Sequence, residues 1–334
     1  MKQVWIHMGY PKCFSTSLQK AFFEKHPEIT YGGIGVGDHL SFANSGLEFV
    51  FQSLLQHANK PYFERNFIEA KKIVDEFVNS ASNTTVFSLE TLVFPFSSLD
   101  FETITERIKL LFEGYDIHIL LVIREQFDFL KSLYGEFLRM GYPETFSNFI
   151  QWVWAYRDRN FWELLNYPQV YDFLKQSFGD ENIHLQFFEN WKSNPEIEIN
   201  ASVSQLLGIS NKNLPIWNDN PSLKKEEQAN LLYVNQEFRR GMGEHVLFPY
   251  LNHLNRTSLV RLESGYSNEE VYENILTKRL ALSKMSRIPQ QPFEDFYKLR
   301  APSDDILKRM KQEWKITNKQ LMDELETVPK TYLS

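Results

Sequence analysis

One cysteine, Cys13, stands in 334 residues. A lone thiol excludes an internal disulfide framework and a zinc site built from cysteines. Long hydrophobic runs are also missing. No stretch approaches the ~18 apolar residues of a membrane span, and the run after Lys2 is too short for the core of a signal peptide. The expected location is therefore cytoplasmic, with no membrane partner. Positive charge is not in excess. Lysine and arginine number 36 against 43 acidic residues, for a net charge of −7, so general nucleic-acid binding is not expected. No low-complexity tract, internal repeat or domain linker is visible. A single domain over 1–334 is expected, with a core over 1–210 and a helical extension over 211–334. Oligomeric state cannot be read from the sequence.

Two nucleotide signatures are absent as well. The triphosphatase loop G-x-x-x-x-G-K-[ST] does not occur, and neither does a G-x-G-x-x-G between a strand and a helix. The glycines at 32, 33, 35 and 37 read as turn chemistry after a short edge strand, Ile29 to Gly33.

What is present begins at Val4. Val4, Ile6 and Met8 make a short apolar run that reads as a buried strand, and Gly9-Tyr10-Pro11 breaks it. Ser15, Thr16 and Ser17 then open a segment carrying Leu18, Ala21 and Phe22 at helical spacing. Strand, tight loop and helix follow one another, with Lys12 in the loop. The first N–H groups of a helix have no partner inside it, and its dipole favours anions. A lysine and three hydroxyls in the same turn add donors for phosphate-like oxygens. Cys13, inside this loop, reads as a small packing residue, with a thiolate favoured by the helix start as the alternative.

Further on, Thr84 to Leu89 is a β-branched and apolar run ended by Glu90. A helix over about 101–113 is stopped by Gly114. His118 to Ile123 is the most hydrophobic run in the chain, as expected of a strand buried on both faces of a parallel sheet. Arg124 follows at once, then a helix over about 126–140. Helices fill most of 38–80, with Pro61 between two of them. Aromatic-rich helices over 145–178 read as core, Ile183–Phe188 as a fourth strand, and Pro195–Leu207 as a helix stopped by Gly208. The alternation predicts an α/β fold, a central parallel sheet flanked by helices with right-handed crossovers, and a mostly helical C-terminal portion. Ligands of such sheets sit at the carboxyl ends of the strands. Lys12, Glu90 and Arg124 all fall there.

The order Pro11-Lys12-x-x-Ser15-Thr16-Ser17-Leu18-Gln19 resembles the 5′-phosphosulfate loop of sulfotransferases that use 3′-phosphoadenosine 5′-phosphosulfate (PAPS). Arg124, leaving a buried strand, with Ser132 eight residues later in a helix, resembles the 3′-phosphate segment of the same family. Leu185 to Trp191 and Leu206-Leu207-Gly208-Ile209 resemble its late strand and closing helix. The resemblance covers roughly residues 3–210 and implies a P-loop-like sulfotransferase fold. It implies transfer of a sulfuryl group from PAPS to a hydroxyl or amine of a carbohydrate or polar small molecule, with 3′-phosphoadenosine 5′-phosphate (PAP) as product and no metal. In that scheme residues 13–17 (Cys13, Phe14, Ser15, Thr16, Ser17) hold the 5′-phosphate and sulfate. Lys12 puts positive charge on the leaving oxygen, Arg124 and Ser132 grip the 3′-phosphate, and Glu90 is the general base.

Two departures from the family pattern and one further similarity stand out. Phe14 occupies a place usually held by Gly or Ala. Ser17 stands where some relatives carry a tryptophan that stacks on adenine, which leaves Phe188 as the candidate base platform. Arg239 to Gly243 is similar to a late family segment on the 3′-phosphate, but reads equally as the basic last turn of a helix. His7 is an alternative base, or a residue packed in the sheet. Two other readings stay open: a P-loop phosphoryl-transfer enzyme with Glu90 helping to hold Mg²⁺, and a catalytically silent nucleotide-binding scaffold of the same fold.

Overall fold

The computed structural model describes residues 1–34, 42–94, 99–139, 141–158, 160–216, 223–242, 297–299, 301–325 and 328–333. Gly35, Gly37 and Gly243 lie outside them. The chain divides into two compact units. The first is Met1–Glu125 with Asn166–Asn220 and Ile316–Ser334; the second is Gln126–Leu165 with Pro221–Lys315. The boundary expected at residue 210 falls inside the first unit, and 126–165 groups with 221–315.

The first unit is built on a five-stranded parallel sheet of order β2-β3-β1-β4-β5. Its strands are β1 (Gln3–Gly9), β2 (Ile29–Tyr31), β3 (Thr84–Ser88), β4 (Asp116–Ile123) and β5 (Ile183–Phe187). β1 is central. It pairs with β3 from Val4↔Thr85 to His7↔Ser88, and with β4 from Gln3↔Asp116 to Gly9↔Val122. Its residues from Val4 onward are buried, which is why it reads as a continuous apolar run rather than an alternating one. β2 is an edge strand, as expected, and ends at Tyr31. β5 ends at Phe187, one residue earlier than expected, because Phe188 opens the short helix α8 (Phe188–Trp191).

The expected helices form where capping chemistry permits. α3 (Lys60–Ser80) starts with Pro61 in its first turn, while the Asn59 side chain accepts from Tyr62 N at 2.9 Å. α4 (Phe101–Leu111) is capped by Asp100, which accepts from Thr103 N at 2.7 Å, and Gly114 lies beyond it at φ 94°. α7 (Tyr167–Phe178) precedes β5. α9 (Pro195–Leu207) ends on Gly208 in the left-handed conformation. Two helices are wound differently from the 3.6-residue reading. α1 runs Ser15–Ser17 as an α-turn and continues as the wider π form over Leu18–Phe23, where Glu24 N reaches back five residues to Gln19 O at 3.1 Å. α2 does the same, Ser45–Glu48 followed by Phe49–Leu55.

The second unit is helical among its described residues. α5 (Gln126–Arg139), α6 (Phe146–Ala155) and α10 (Lys225–Met242) supply it, with the N-terminal part of α11 (Ser303–Glu324). Its aromatics make a core only in part: Trp152, Trp154, Phe161 and Trp162 are half-buried, and Tyr156 is exposed. Phe146 and Phe149 are buried, and Phe149 packs against Phe137 and Tyr134. Trp162 contacts both Trp154 and Trp314. Arg239 and Arg240 lie in the last turn of α10, the plain helix-end placement. No described helix is long and apolar enough to cross a membrane.

A candidate anion site at the strand ends

Because β1, β3, β4 and β5 are parallel neighbours, their carboxyl ends lie along one edge of the sheet. The loop after β1, Glu90 after β3, Arg124 after β4 and Phe188 after β5 are therefore brought together by topology. Residues far apart in the chain become neighbours here for one reason only: each follows the last residue of a strand.

The loop after β1 is held at both ends by backbone hydrogen bonds. Tyr10 N donates to Val122 O at 3.0 Å, and Leu18 N donates to Phe14 O at 2.9 Å. Between them the chain turns sharply. Lys12 and Phe14 both adopt left-handed backbone, at φ 68° and 63°. Such positions cost an L-residue about 1–2 kcal/mol each. Phe14 is left-handed and Ser15 helical, the alternation of hand found in backbone anion nests. No side chain caps the N-terminus of α1, so its first amides are not satisfied by a neighbouring hydroxyl. Ser15 Oγ is buried and has no hydrogen-bond partner among the described residues. Thr16 is half-buried and Ser17 buried. Lys12 is half-buried, with its ammonium nitrogen out of solvent.

Arg124 locks this loop to β4. Its Nη1 donates to Lys12 O at 3.2 Å, its guanidinium lies 4.4 Å over the Phe188 ring, and its Nε has no hydrogen-bond partner among the described residues. Phe14 also reaches Phe188, stacked at 4.8 Å between centroids. The aromatic expected to receive a base is thus in contact with the bulky loop residue that the sequence places unusually. Glu90 opens a short 3₁₀ turn, Glu90–Leu92, directly after Leu89 N donates to His7 O at 3.2 Å. Ser132 belongs to the second unit. It lies in α5, two turns from the helix start, and its Oγ has no hydrogen-bond partner among the described residues.

Cys13 interacts electrostatically with Arg124, Glu189 and Glu90. Burial pushes its thiol pKa well up. Arg124 acts in the opposite direction, and Glu189 and Glu90 raise it further. This corrects the thiolate alternative: Cys13 is a buried, protonated packing residue, 3.8 Å from Pro11 O. His7 is likewise unsuited to take a proton from an acceptor. Complete burial lowers its pKa to about 3.

Two features escaped the sequence reading. Glu189 accepts from Glu125 N at 2.9 Å and from Tyr332 OH at 3.0 Å, and Tyr167 OH donates to Arg124 O at 2.6 Å. These groups fix the backbone on both sides of the Arg124–Glu125 peptide. Tyr332 lies 143 positions from Glu189, and nothing in one dimension pairs them. The second feature is the Gln19–Ser88–His7 contact beneath the loop, described below.

No family model matches the chain, and no match is found among curated proteins. Two solved structures with which it shares a distant likeness are both sulfotransferases. One is a sulfotransferase from Alicyclobacillus acidocaldarius, at 14% identity and TM-score 0.45, covering 70% of this chain and 93% of that one. The other is mouse sulfotransferase SULT7A1 complexed with PAP, at 11% identity and TM-score 0.37, covering 93% of this chain and 83% of that one.

Proposed function

We propose that the chain is a PAPS-dependent sulfotransferase acting on a hydroxyl or amine of a carbohydrate or polar small molecule. The observation that supports this best is the strained loop of Lys12 to Ser17, an uncapped helix start tied by Arg124 Nη1 to Lys12 O. A loop without the G-K-[ST] order, but with an arginine from the next strand pinned to it, suits a ligand with anionic groups at two places. The unpartnered Ser15 Oγ and Arg124 Nε are donors that such oxygens would satisfy.

PAPS supplies an activated sulfuryl group. The chain's own residues then divide the work. Amides of residues 13–17 with Ser15, Thr16 and Ser17 hold the 5′-side phosphate and sulfate. Lys12 places positive charge at the bridging oxygen as its bond to sulfur breaks, the kind of electrostatic stabilisation that is usually the largest contribution. Arg124 takes the 3′-phosphate, and Ser132 is the hydroxyl that the resemblance assigns to the same group. Glu90 removes the acceptor proton as the acceptor–sulfur bond forms, and PAP departs. Residues 1–334 act as one enzyme in this reading, and its location is cytoplasmic.

The test is thermal stability with PAP against ADP plus Mg²⁺. A ligand at one hundred times its dissociation constant adds roughly 2.7 kcal/mol to the native state, enough to move the melting temperature by a few degrees. A shift with PAP alone, lost in Arg124→Ala, is the expected result. An equal or larger shift with ADP and Mg²⁺ would replace this reading with phosphoryl transfer. A PAP shift without turnover on a broad acceptor panel would leave a silent scaffold.

A further inference from the structure

Below the loop lies a polar group that the proposed chemistry does not use. His7 is on the central strand and wholly buried. The register sets it beside Ser88 of β3, and its Nδ1 is 2.7 Å from Ser88 Oγ. Gln19, on α1 itself, donates its side-chain amide to the same Ser88 Oγ at 3.0 Å. The other ring nitrogen, Nε2, has no hydrogen-bond partner among the described residues, and neither has Ser15 Oγ. These two atoms flank one notch. A Cβ added to Gly9 would stand 2.8 Å from His7 Nε2 and 2.6 Å from Ser15 Oγ. Gly9 closes β1, and Ser15 opens α1.

We propose that His7 is a positioning residue of the anion loop, a neutral imidazole that donates its Nε2–H into the notch over Gly9 and, with Ser15 Oγ, holds an oxygen of the bound 5′-side phosphate or sulfate. The identity of the whole ligand rests on the sulfotransferase reading; the role of His7 needs only a tetrahedral anion.

The proposed tautomer is the one in which Ser88, which receives a proton from Gln19 and also meets Tyr31, directs its own hydroxyl proton to His7 Nδ1. Burial keeps the ring neutral, so its one proton resides on Nε2. The resulting chain, Gln19 to Ser88 to His7 to anion, links α1, β3 and β1. It makes the donor strength of the notch independent of pH in the neutral range, because none of its members carries charge there. It also requires the glycine at position 9, because a side chain there would push against both donors.

The experiment is a long-range ¹⁵N–¹H spectrum of the full chain labelled at histidine, with His7→Gln identifying the His7 signals among the eight histidines. Spectra are taken alone, with inorganic sulfate and with PAP. The expected result is an Nε2–H ring that does not titrate between about pH 5 and 8 and whose signal moves on adding either anion. His7→Phe should weaken PAP binding by about tenfold or more in calorimetry, and His7→Gln, which carries an amide N–H to nearly the same place, should restore most of it. An Nδ1–H ring, or a signal unmoved by both anions, overturns the proposal. A signal that moves with sulfate while calorimetry detects no PAP binding keeps His7 in place and overturns the PAPS reading instead.

Discussion

Gly9 is the position where the loop has least tolerance. A Cβ there meets Ser15 Oγ at 2.6 Å and His7 Nε2 at 2.8 Å, and neither neighbour is free to yield. Ser15 begins α1, and His7 is pinned through Ser88. Gly9→Ala is therefore expected to lower stability by about 1–3 kcal/mol, the usual cost of overpacking. It should also abolish anion binding; urea unfolding and PAP calorimetry check the two effects separately. Glu90 makes the opposite case, with its expected effect on rate alone. Glu90→Gln should reduce turnover by about 10²–10⁴-fold, the range of general-base catalysis, while PAP affinity stays within twofold. Equal turnover in the variant would place the base elsewhere. Both residues were legible in the sequence, Gly9 as a breaker after an apolar run and Glu90 as the stop of a strand. What could not be read was the contact that makes Gly9 obligatory, because His7 Nε2 reaches it only after the strand is paired with β3.

At the scale of elements, the loop and α1 depart most from what spacing predicts. A helix with Leu18, Ala21 and Phe22 on one face was expected, and it forms. Its winding over Leu18–Phe23 is wider, with Gln19, Phe22 and Phe23 all buried. Six residues cannot distinguish a 3.6 period from a wider one, so packing decides. The backbone hand at Lys12 and Phe14 is likewise invisible, since neither residue favours it. Phe14→Gly removes a left-handed L-residue, which favours the native state by about 1–2 kcal/mol. It also loses the stacking on Phe188, about 0.5–1.5 kcal/mol, and adds chain entropy to the unfolded state. These effects nearly cancel, so stability should change by less than about 1 kcal/mol. The Phe188 ring is then uncovered, and PAP affinity should rise in calorimetry. A fall would mean that Phe14 itself, not Phe188, holds the base.

For the whole molecule, two wholly or partly buried histidines are expected to contribute to the response to acid. His7 has its pKa lowered to about 3 by burial, and His184 is lowered by burial and by His118 beside it. An unfolded chain protonates both near the ordinary value of 6.5. Below that pH the unfolded state binds more protons than the native one, so stability is fully present above pH 6.5 and is lost as pH falls toward 3. The loss attributable to His7 is on the order of 4 kcal/mol. Urea unfolding across pH 4–7 should show this slope in the native sequence, and His7→Gln should flatten most of it. The sequence by itself determined the strands, their parallel pairing class and the strand–loop–helix order around Lys12, because burial on both faces and loss of helix-start partners are local in one dimension. It also placed Lys12, Glu90 and Arg124 at strand ends. Tertiary structure alone decided that β1 lies between β3 and β4. From that placement follow the contacts of Arg124 with Lys12 and of His7 with Ser88; β5 beside β4 gives Arg124 its contact with Phe188, and the C-terminal turn brings Tyr332 to Glu189. Each joins residues from separate segments of chain, which only the folded arrangement of strands and of the C-terminal turn brings within reach.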